Sequence, residues 1–496
     1  MDYSHFLAMQ QELMLLGVLL IVFLFDTFGS ERQRDAVVSP LALTLFGGIT
    51  VAGFVVGLFQ KGQAEAFAGM YVSSQLIWYI KTILNVGAFI VLLQALHWID
   101  SDDAKVRRGE FYELLFVTLF GMYLMISARH FLLFIIGLEC ASLPLAIMTA
   151  FQKREYESNE AAVKYIFTAV FSSAIMLLGI SFVYACSAGS LYFSDVQQAI
   201  MARGNLSAIL IAAVAFVICG FGFKLSLVPF HLWTADVYQG APTSVTSYLS
   251  VISKGSAAVA FLIMLCQVFG DLYSLVWEWM LYAIIILTIT VGNLFAIRQK
   301  NMKRFMAFSS ISQAGYIMLG IISVNTLGLT SMLFYILVYI FSNLGVFGVI
   351  QAIENKTGKV GMDDYKGLHK TNPWLSFAMT LAVFSLAGIP PFAGFFSKIL
   401  IFTSSIESGS AALYILVLIA LINTIVSLYY YLLVVKAMWI SPDEPTIIGF
   451  QSRGSERVAL WICVGGIMFL GIVSWFYDSL FNLSAASASS MFGTVA

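Results

Sequence analysis

Three lysines and one glutamate stand where ionisable residues are costly. Lys224, Lys254 and Lys398 lie far inside long apolar runs or beside breaks in them, and Glu139 sits deep in the run Ile136-Gly-Leu-Glu139-Cys-Ala-Ser-Leu-Pro144. If these runs cross a bilayer, a charge at mid-depth costs at least about 2.5–3.5 kcal/mol. Amines and carboxyls kept at that cost can do one kind of chemistry unaided: they take up protons and release them. A Glu–Lys pair about 4 Å apart, at an effective dielectric near 20, is worth about 4 kcal/mol. Moving one proton against about 150–200 mV costs about 3.5–4.6 kcal/mol. Making or breaking one such pair therefore matches the work of moving one proton. A buried carboxylate such as Glu139 needs a partner or takes up a proton itself, and a buried lysine is the expected partner. His231 titrates in a range that lets it pass a proton between lysines.

The elements that must position these groups follow from composition. Of 496 residues, 60% are hydrophobic and only 11% charged, against about 25% charged in soluble domains. Solid apolar runs of about 20 residues succeed one another with short polar breaks, which predicts an all-α polytopic membrane protein. About fourteen spans are expected, beginning near Leu13, Leu41, Gln75, Phe111, His130, Ala161, Leu206, Thr243, Ser274, Phe305, Leu327, Trp374, Ala411 and Val458. With no basic n-region and no small-residue cleavage site, the first run reads as a span and not as a removable signal.

Charge tests this map independently. The odd-numbered loops hold Arg32, Arg34, Lys105, Arg107, Arg108, Lys153, Arg154, Arg298, Lys300, Lys303, Arg304, Lys356, Lys359, Lys366, Lys370, Arg453 and Arg457, whereas the even-numbered ones hold Lys61, Arg129 and Arg203. The asymmetry puts the basic loops on the cytoplasmic side and both termini outside. Such loop charge, with a net charge of −1, argues against nucleic-acid binding. The cysteines Cys140, Cys186, Cys219, Cys266 and Cys463 are scattered without ligand-like spacing, so no metal or iron–sulfur site is expected on this chain.

Two spans are interrupted at corresponding places. The seventh breaks at Phe223-Lys-Leu-Ser-Leu-Val-Pro229-Phe-His231, the twelfth at Ala387-Gly-Ile-Pro390-Pro391-Phe-Ala-Gly394-Phe-Phe-Ser-Lys398. Proline removes a helix donor, and the freed carbonyls need protein or water partners. Paired breaks an odd number of spans apart predict two inverted five-helix repeats. The expected organisation is three N-terminal helices in 1–110, a first repeat in 111–270, an inverted second in 271–440, and a loop with the last span in 441–496. Other ionisable residues have a plainer reading. Lys81, Lys164 and Lys436 lie near predicted span ends and are expected to snorkel to water, while Asp26, Glu113, Asp236 and Glu278 lie near interfaces or breaks.

The stretch Phe223-Lys-Leu-Ser-Leu-Val-Pro-Phe-His-Leu-Trp-Thr-Ala-Asp-Val-Tyr-Gln-Gly-Ala-Pro242, then Ser253-Lys254 and Gly388-Ile-Pro-Pro-Phe-Ala-Gly-Phe-Phe-Ser-Lys398, resembles the antiporter-like membrane subunits of respiratory complex I, the NADH-quinone oxidoreductase. The resemblance runs over nearly the whole chain. It implies that Glu139 is the acidic partner of Lys224, that Lys254 is the central proton carrier, and that Lys398 serves the second half-channel. It also implies proton translocation coupled to quinone reduction elsewhere in an inner-membrane complex. Flavin, iron–sulfur clusters and quinone would sit on partner subunits, and neighbouring membrane subunits would flank both sides. One sister type in the family usually has glutamate at the Lys398 position and another adds a long lateral helix; this chain has lysine and ends soon after its expected last span. Subunits of Mrp-type cation/proton antiporters share the same broken helices and lysines and remain the alternative.

Overall fold

The computed structural model describes residues 4–60, 62–101, 104, 107–203, 207–440 and 444–492, so that Lys61, Lys105 and Leu206 lie outside the described residues. Among these residues, twelve helices are long and apolar enough to cross a membrane. In chain order the bundle opens with α1 (Gln10–Phe28), α2 (Glu31–Phe59), α3 (Gln75–Ile99), α4 (Arg108–Ser127), α5 (Phe131–Thr149) and α6 (Tyr156–Cys186). Next come α7 (Ala208–Leu225) and its short continuation α8 (Leu232–Gly240). The stretch Thr243–Ala296 holds two segments, α9 (243–269) and α10 (Glu278–Ala296), separated by a 3-10 turn at Gly270–Leu272. It folds back there, because Lys303, just beyond one end, donates to the carbonyl of Ala241, just before the other. The order continues with α11 (Met302–Ile322), α12 (Thr326–Thr357), the half-helices α13 (Pro373–Ala387) and α14 (Ala393–Glu407), then α15 (Ala411–Ile440) and α16 (Gly454–Ile472).

Two elements lie outside the expected pattern. A two-stranded antiparallel hairpin, β1 (Gln63–Ala66) and β2 (Tyr71–Ser74), links α2 to α3. A further helix, α17 (Trp475–Phe492), follows α16 and packs on the central α12, where Tyr477 meets Phe334 edge to face at 5.5 Å. Four-residue strands give too few alternations to be read in a strongly apolar sequence. The C-terminal Ser/Ala stretch of α17 is not apolar enough to stand out as a span.

Helix packing rests on small residues rather than on hydrophobicity, since lipid is as apolar as leucine. At the α4–α5 contact a Cβ on Gly121 would lie 2.4 Å from the Ala141 nitrogen and one on Gly137 would lie 2.7 Å from the Met125 nitrogen. The two backbones touch because neither position carries a side chain. The loops rich in lysine and arginine meet at one face of the bundle. There Arg453 bonds Asp100 at 2.7 Å, Lys359 donates to the Thr446 carbonyl at 2.9 Å, and Lys303 donates to the Ala241 carbonyl at 3.1 Å. The hairpin occupies the opposite face beside Arg129, whose amide donates to the Met70 carbonyl at 2.8 Å.

Candidate functional site

Both breaks have the same local cause. Helix α7 ends with Ser226 in the left-handed region (φ +60°), with Ser226 N donating to Phe223 O and Leu227 N to Gly222 O. Helix α13 ends with Gly388 at φ +85°, with Gly388 N donating to Ser385 O and Ile389 N to Phe384 O. This double bond pattern is a Schellman cap, and proline two and three residues later prevents the helix from resuming at once. When the caps are superposed, Lys224 stands just before its break and Lys398 well after its own. Only Lys398 can therefore reach back to the carbonyls of its own break.

Lys398 Nζ donates to the carbonyls of Leu386 and Ala387 at 2.9 and 3.1 Å and lies 5.1 Å from the Tyr316 ring. It caps the C-terminus of α13, so its positive charge meets the negative end of a helix dipole and two otherwise orphaned carbonyls. Lys224 turns instead to the side chain of Ser142 on α5, at 2.6 Å. Lys254 donates to Ser310 on α11 at 2.7 Å and lies 5.6 Å from the Tyr238 ring. A five-residue π-helical segment, Leu249–Ser253, immediately precedes Lys254. Such segments recur at functional sites. The three amines are 4%, 2% and 4% exposed, and no carboxylate comes within ion-pair distance of any of them among the described residues. A nearby charge that moves therefore acts on them almost unscreened.

Polar side chains connect this row. Ser310 and Gln313 lie one turn apart on α11, and Gln313 reaches the Leu386 carbonyl, the acceptor of Lys398, at 3.4 Å. A cavity of about 10 Å³, near the lower bound for holding one water, adjoins Lys398 between Gln313, Tyr339 and Ser342. From the basic face, a cavity of about 670 Å³ opens between Glu155, Thr243, Lys303, Glu354 and Arg453. Glu354 pairs with Lys303 at 3.1 Å and accepts from Thr243. Deeper, Ser250 donates to Asn343 at 2.8 Å and Asn343 to Tyr339 at 2.7 Å, which reaches the cavity at Lys398. Between Lys224 and Lys254 the link is aromatic: Phe223 meets Trp233 at a tilt with ring centres 5.0 Å apart, and Trp233 meets Tyr238 edge to face at 6.4 Å.

The structure separates the expected residues into those it brings together and those it does not. Glu139 is half-buried and forms no ion pair with Lys224 among the described residues. It sits one turn before Ser142, within electrostatic reach of the amine. His231 caps α8 at the break, half-buried, with Nδ1 unpartnered and no hydrogen bond to either lysine among the described residues. Lys436 is exposed, and Lys164, 40% exposed, pairs with Glu160 at 2.7 Å and Asp236 at 2.6 Å, as snorkelling residues do. Lys81 departs from that expectation. It is 1% exposed and bound to Glu12 at 2.6 Å, because α1 begins at Gln10 and carries Glu12 inward across from it. Hydropathy starts the first span at Leu13 and so leaves Glu12 outside. Ser142 and Ser310 were illegible for another reason: serine hydroxyls are common in membrane helices and mark no site by themselves.

Ser142→Ala is expected to leave the Lys224 amine without its hydroxyl partner. A hydrogen bond to a charged group contributes about 1.5–3 kcal/mol, so the docked lysine should be depopulated by about tenfold or more. Proton uptake by membrane vesicles should fall with the amount of assembled protein unchanged. Uptake at the wild-type rate would mean that Ser142 does not hold Lys224.

Paired cap-broken helices and a row of buried lysines across a helix bundle define the class of antiporter-like membrane subunits. The sequence family described as "NADH:quinone oxidoreductase/Mrp antiporter, TM" matches residues 128–425. The NADH-quinone oxidoreductase subunit N of Azobacteroides pseudotrichonymphae genomovar. CFP2 is 49% identical over 494 residues, covering 98% of this chain and 99% of that one. A chain of respiratory complex I from Thermus thermophilus superposes with a TM-score of 0.78 at 27% identity, covering 95% of this chain and 99% of that one. A chain of the Mrp complex from Dietzia sp. DQ12-45-1b shares the fold, with a TM-score of 0.85 at 18% identity and 98% of each chain covered. This chain belongs to the subunit N family of NADH-quinone oxidoreductase, whose members are subunits of an oxidoreductase complex.

Proposed function

We propose that this chain is a membrane-arm subunit of an inner-membrane NADH-quinone oxidoreductase and carries protons through Lys224, Lys254 and Lys398, coupled to quinone reduction on partner subunits. The observation that carries the reading is that three lysines, each at most 4% exposed, hold their amines on neutral partners with no contacting carboxylate among the described residues. Ionisable residues kept inside a membrane mark ion pathways and proton relays by default. Protons enter from the basic, cytoplasmic face through the cavity at Glu354 and pass along Ser250, Asn343 and Tyr339. Glu139, half-exposed on α5, acts on Lys224 as a nearby charge and not as a contact partner. His231 would serve as a relay when the break moves. The two inverted repeats are the frame on which the breaks lie, both termini face outward, and flavin, iron–sulfur clusters and quinone belong to the partners on either flank.

The test removes the chain. Membranes of a deletion strain should lose NADH:quinone reduction and the associated proton uptake together, and plasmid-borne chain should restore both. If sodium/proton exchange is lost while quinone reduction stays at the parental level, the complex I reading fails and the Mrp-type antiporter takes its place.

A further inference from the structure

A second ionisable cluster lies apart from the lysine row, between α1, α3 and the hairpin. Lys81 Nζ donates to Glu12 Oε1 at 2.6 Å and to the Tyr71 hydroxyl at 3.0 Å, and that hydroxyl donates to Glu12 Oε2 at 2.8 Å. Both charged side chains are 1% exposed. A buried ion pair is a poor clasp, because desolvation cancels much of its attraction. Here the clasp already exists without charge: Gln11 Nε2 donates to Thr82 Oγ1 at 3.1 Å and to the Trp78 carbonyl at 3.2 Å, tying α1 to α3 one residue away from each member of the pair.

The cluster has a polar approach on each side. Toward the hairpin face, Tyr71 bridges Ala128, and the residues that follow these two, Val72 and Arg129, line a cavity of about 380 Å³ with Glu65 and Gln197. Toward the membrane centre, Lys81 lies 5.5 Å from the Tyr123 ring, and the Tyr123 hydroxyl donates to Asn85, one turn beyond Lys81 on α3. Asn85 Nδ2 is buried with no hydrogen-bond partner among the described residues. Earlier on α4, Thr118 donates a hydrogen bond of 2.9 Å to Tyr248, on the helix that carries Lys254.

We propose that Glu12, Lys81 and Tyr71 form the proton exit site of this chain, delivering protons from the lysine row to the cavity at the hairpin face. The inference rests on the translocator reading above. In the step, the Lys81 ammonium gives one proton to the Glu12 carboxylate, directly or through the Tyr71 hydroxyl, leaving an amine and a carboxylic acid. Glu12 then releases that proton to water in the cavity, and Lys81 regains one from the Asn85–Tyr123 side. The net result is one proton moved outward with both groups returned to their starting charge.

The experiment uses the whole complex in native membrane vesicles. Glu12→Gln/Lys81→Met removes both charges together and keeps the side-chain lengths, so no charge is left unpaired. Lys81→Arg keeps the ion pair with a side chain that does not release its proton. Assembled complex, NADH:quinone turnover and proton translocation are measured for each, with Lys254→Met in parallel. The expected result is normal assembly with turnover and translocation reduced at least about tenfold in both Lys81 variants. Wild-type translocation by either variant makes the pair a structural clasp and overturns the exit site. If the double variant fails to assemble, Lys81→Arg decides. Normal pumping by Lys254→Met would overturn the translocator reading itself, whereas a dead Lys254→Met beside full pumping in the Lys81 variants removes the exit site alone.

Discussion

Lys254→Met is expected to abolish proton translocation and to slow NADH:quinone reduction on the order of a hundredfold, the effect of removing a positioned proton-transfer group. The complex should still assemble. Lys254 is 2% exposed and held by Ser310 alone among its described hydrogen-bond partners, so methionine removes a buried charge and fills nearly the same volume. Insertion of the apolar residue is easier than insertion of the lysine by about 2.5–3.5 kcal/mol. A stabilised yet inactive protein is an outcome that a packing role does not produce. Lys254→Arg separates charge from proton exchange: arginine stays protonated in proteins, so this variant should also fail to pump while retaining the cation. Both variants are read by acidification in native vesicles against quinone reduction in the same sample. Full pumping by the methionine variant would end the role of Lys254 as carrier.

Lys224, Lys254 and Lys398 were legible in the sequence because depth in an apolar run is a strong physical signal, and all three are buried in the bundle. The breaks were legible because proline has one dominant effect on a helix. What was not legible is which atom each amine meets. The family resemblance pairs Glu139 with Lys224, but sequence does not fix how α5 is rotated, and that rotation turns Ser142 to the amine and leaves Glu139 half-exposed. The capping role of Lys398 required knowing that the loop after Gly388 brings the start of α14 beside the last turn of α13, Gly394 against Ser385, so that the amine returns to Leu386 and Ala387. Lys81 shows the limit of depth arguments near a span end. Two turns from the end of α3 is shallow in a bare helix, yet the hairpin and α1 cover that end, and the amine cannot reach water by snorkelling. Glu12 was hidden for the same reason, since hydropathy trims a helix at its first polar turn.

Gly394→Ala is expected to be the most damaging glycine-to-alanine change among the described residues. A Cβ at Gly394 would stand 1.7 Å from the Ser385 carbonyl oxygen and 2.5 Å from its carbon, backbone atoms of the half-helix that α14 folds against. No side-chain rotation relieves that overlap, so α13 and α14 must move apart. Ser385 Oγ accepts from Gly394 N at 3.1 Å and receives Ser342 at 2.7 Å, so separation also breaks the tie to α12. Lys398 lies one turn beyond Gly394 on α14 and caps the two carbonyls that follow Ser385, so the same displacement withdraws its amine from Leu386 and Ala387. Overpacking of this kind typically costs about 1–3 kcal/mol, and a backbone clash belongs at or above the upper end. The assembled complex should melt at lower temperature and lose quinone-coupled pumping in proportion to the loosened break. Gly17→Ala is the matched control, because nothing lies within 4 Å of a Cβ there, and it should behave as wild type. Equal melting for the two alanine variants would show that the half-helices can separate at no cost, and the close approach at Gly394 could not then be what holds Lys398 on its cap.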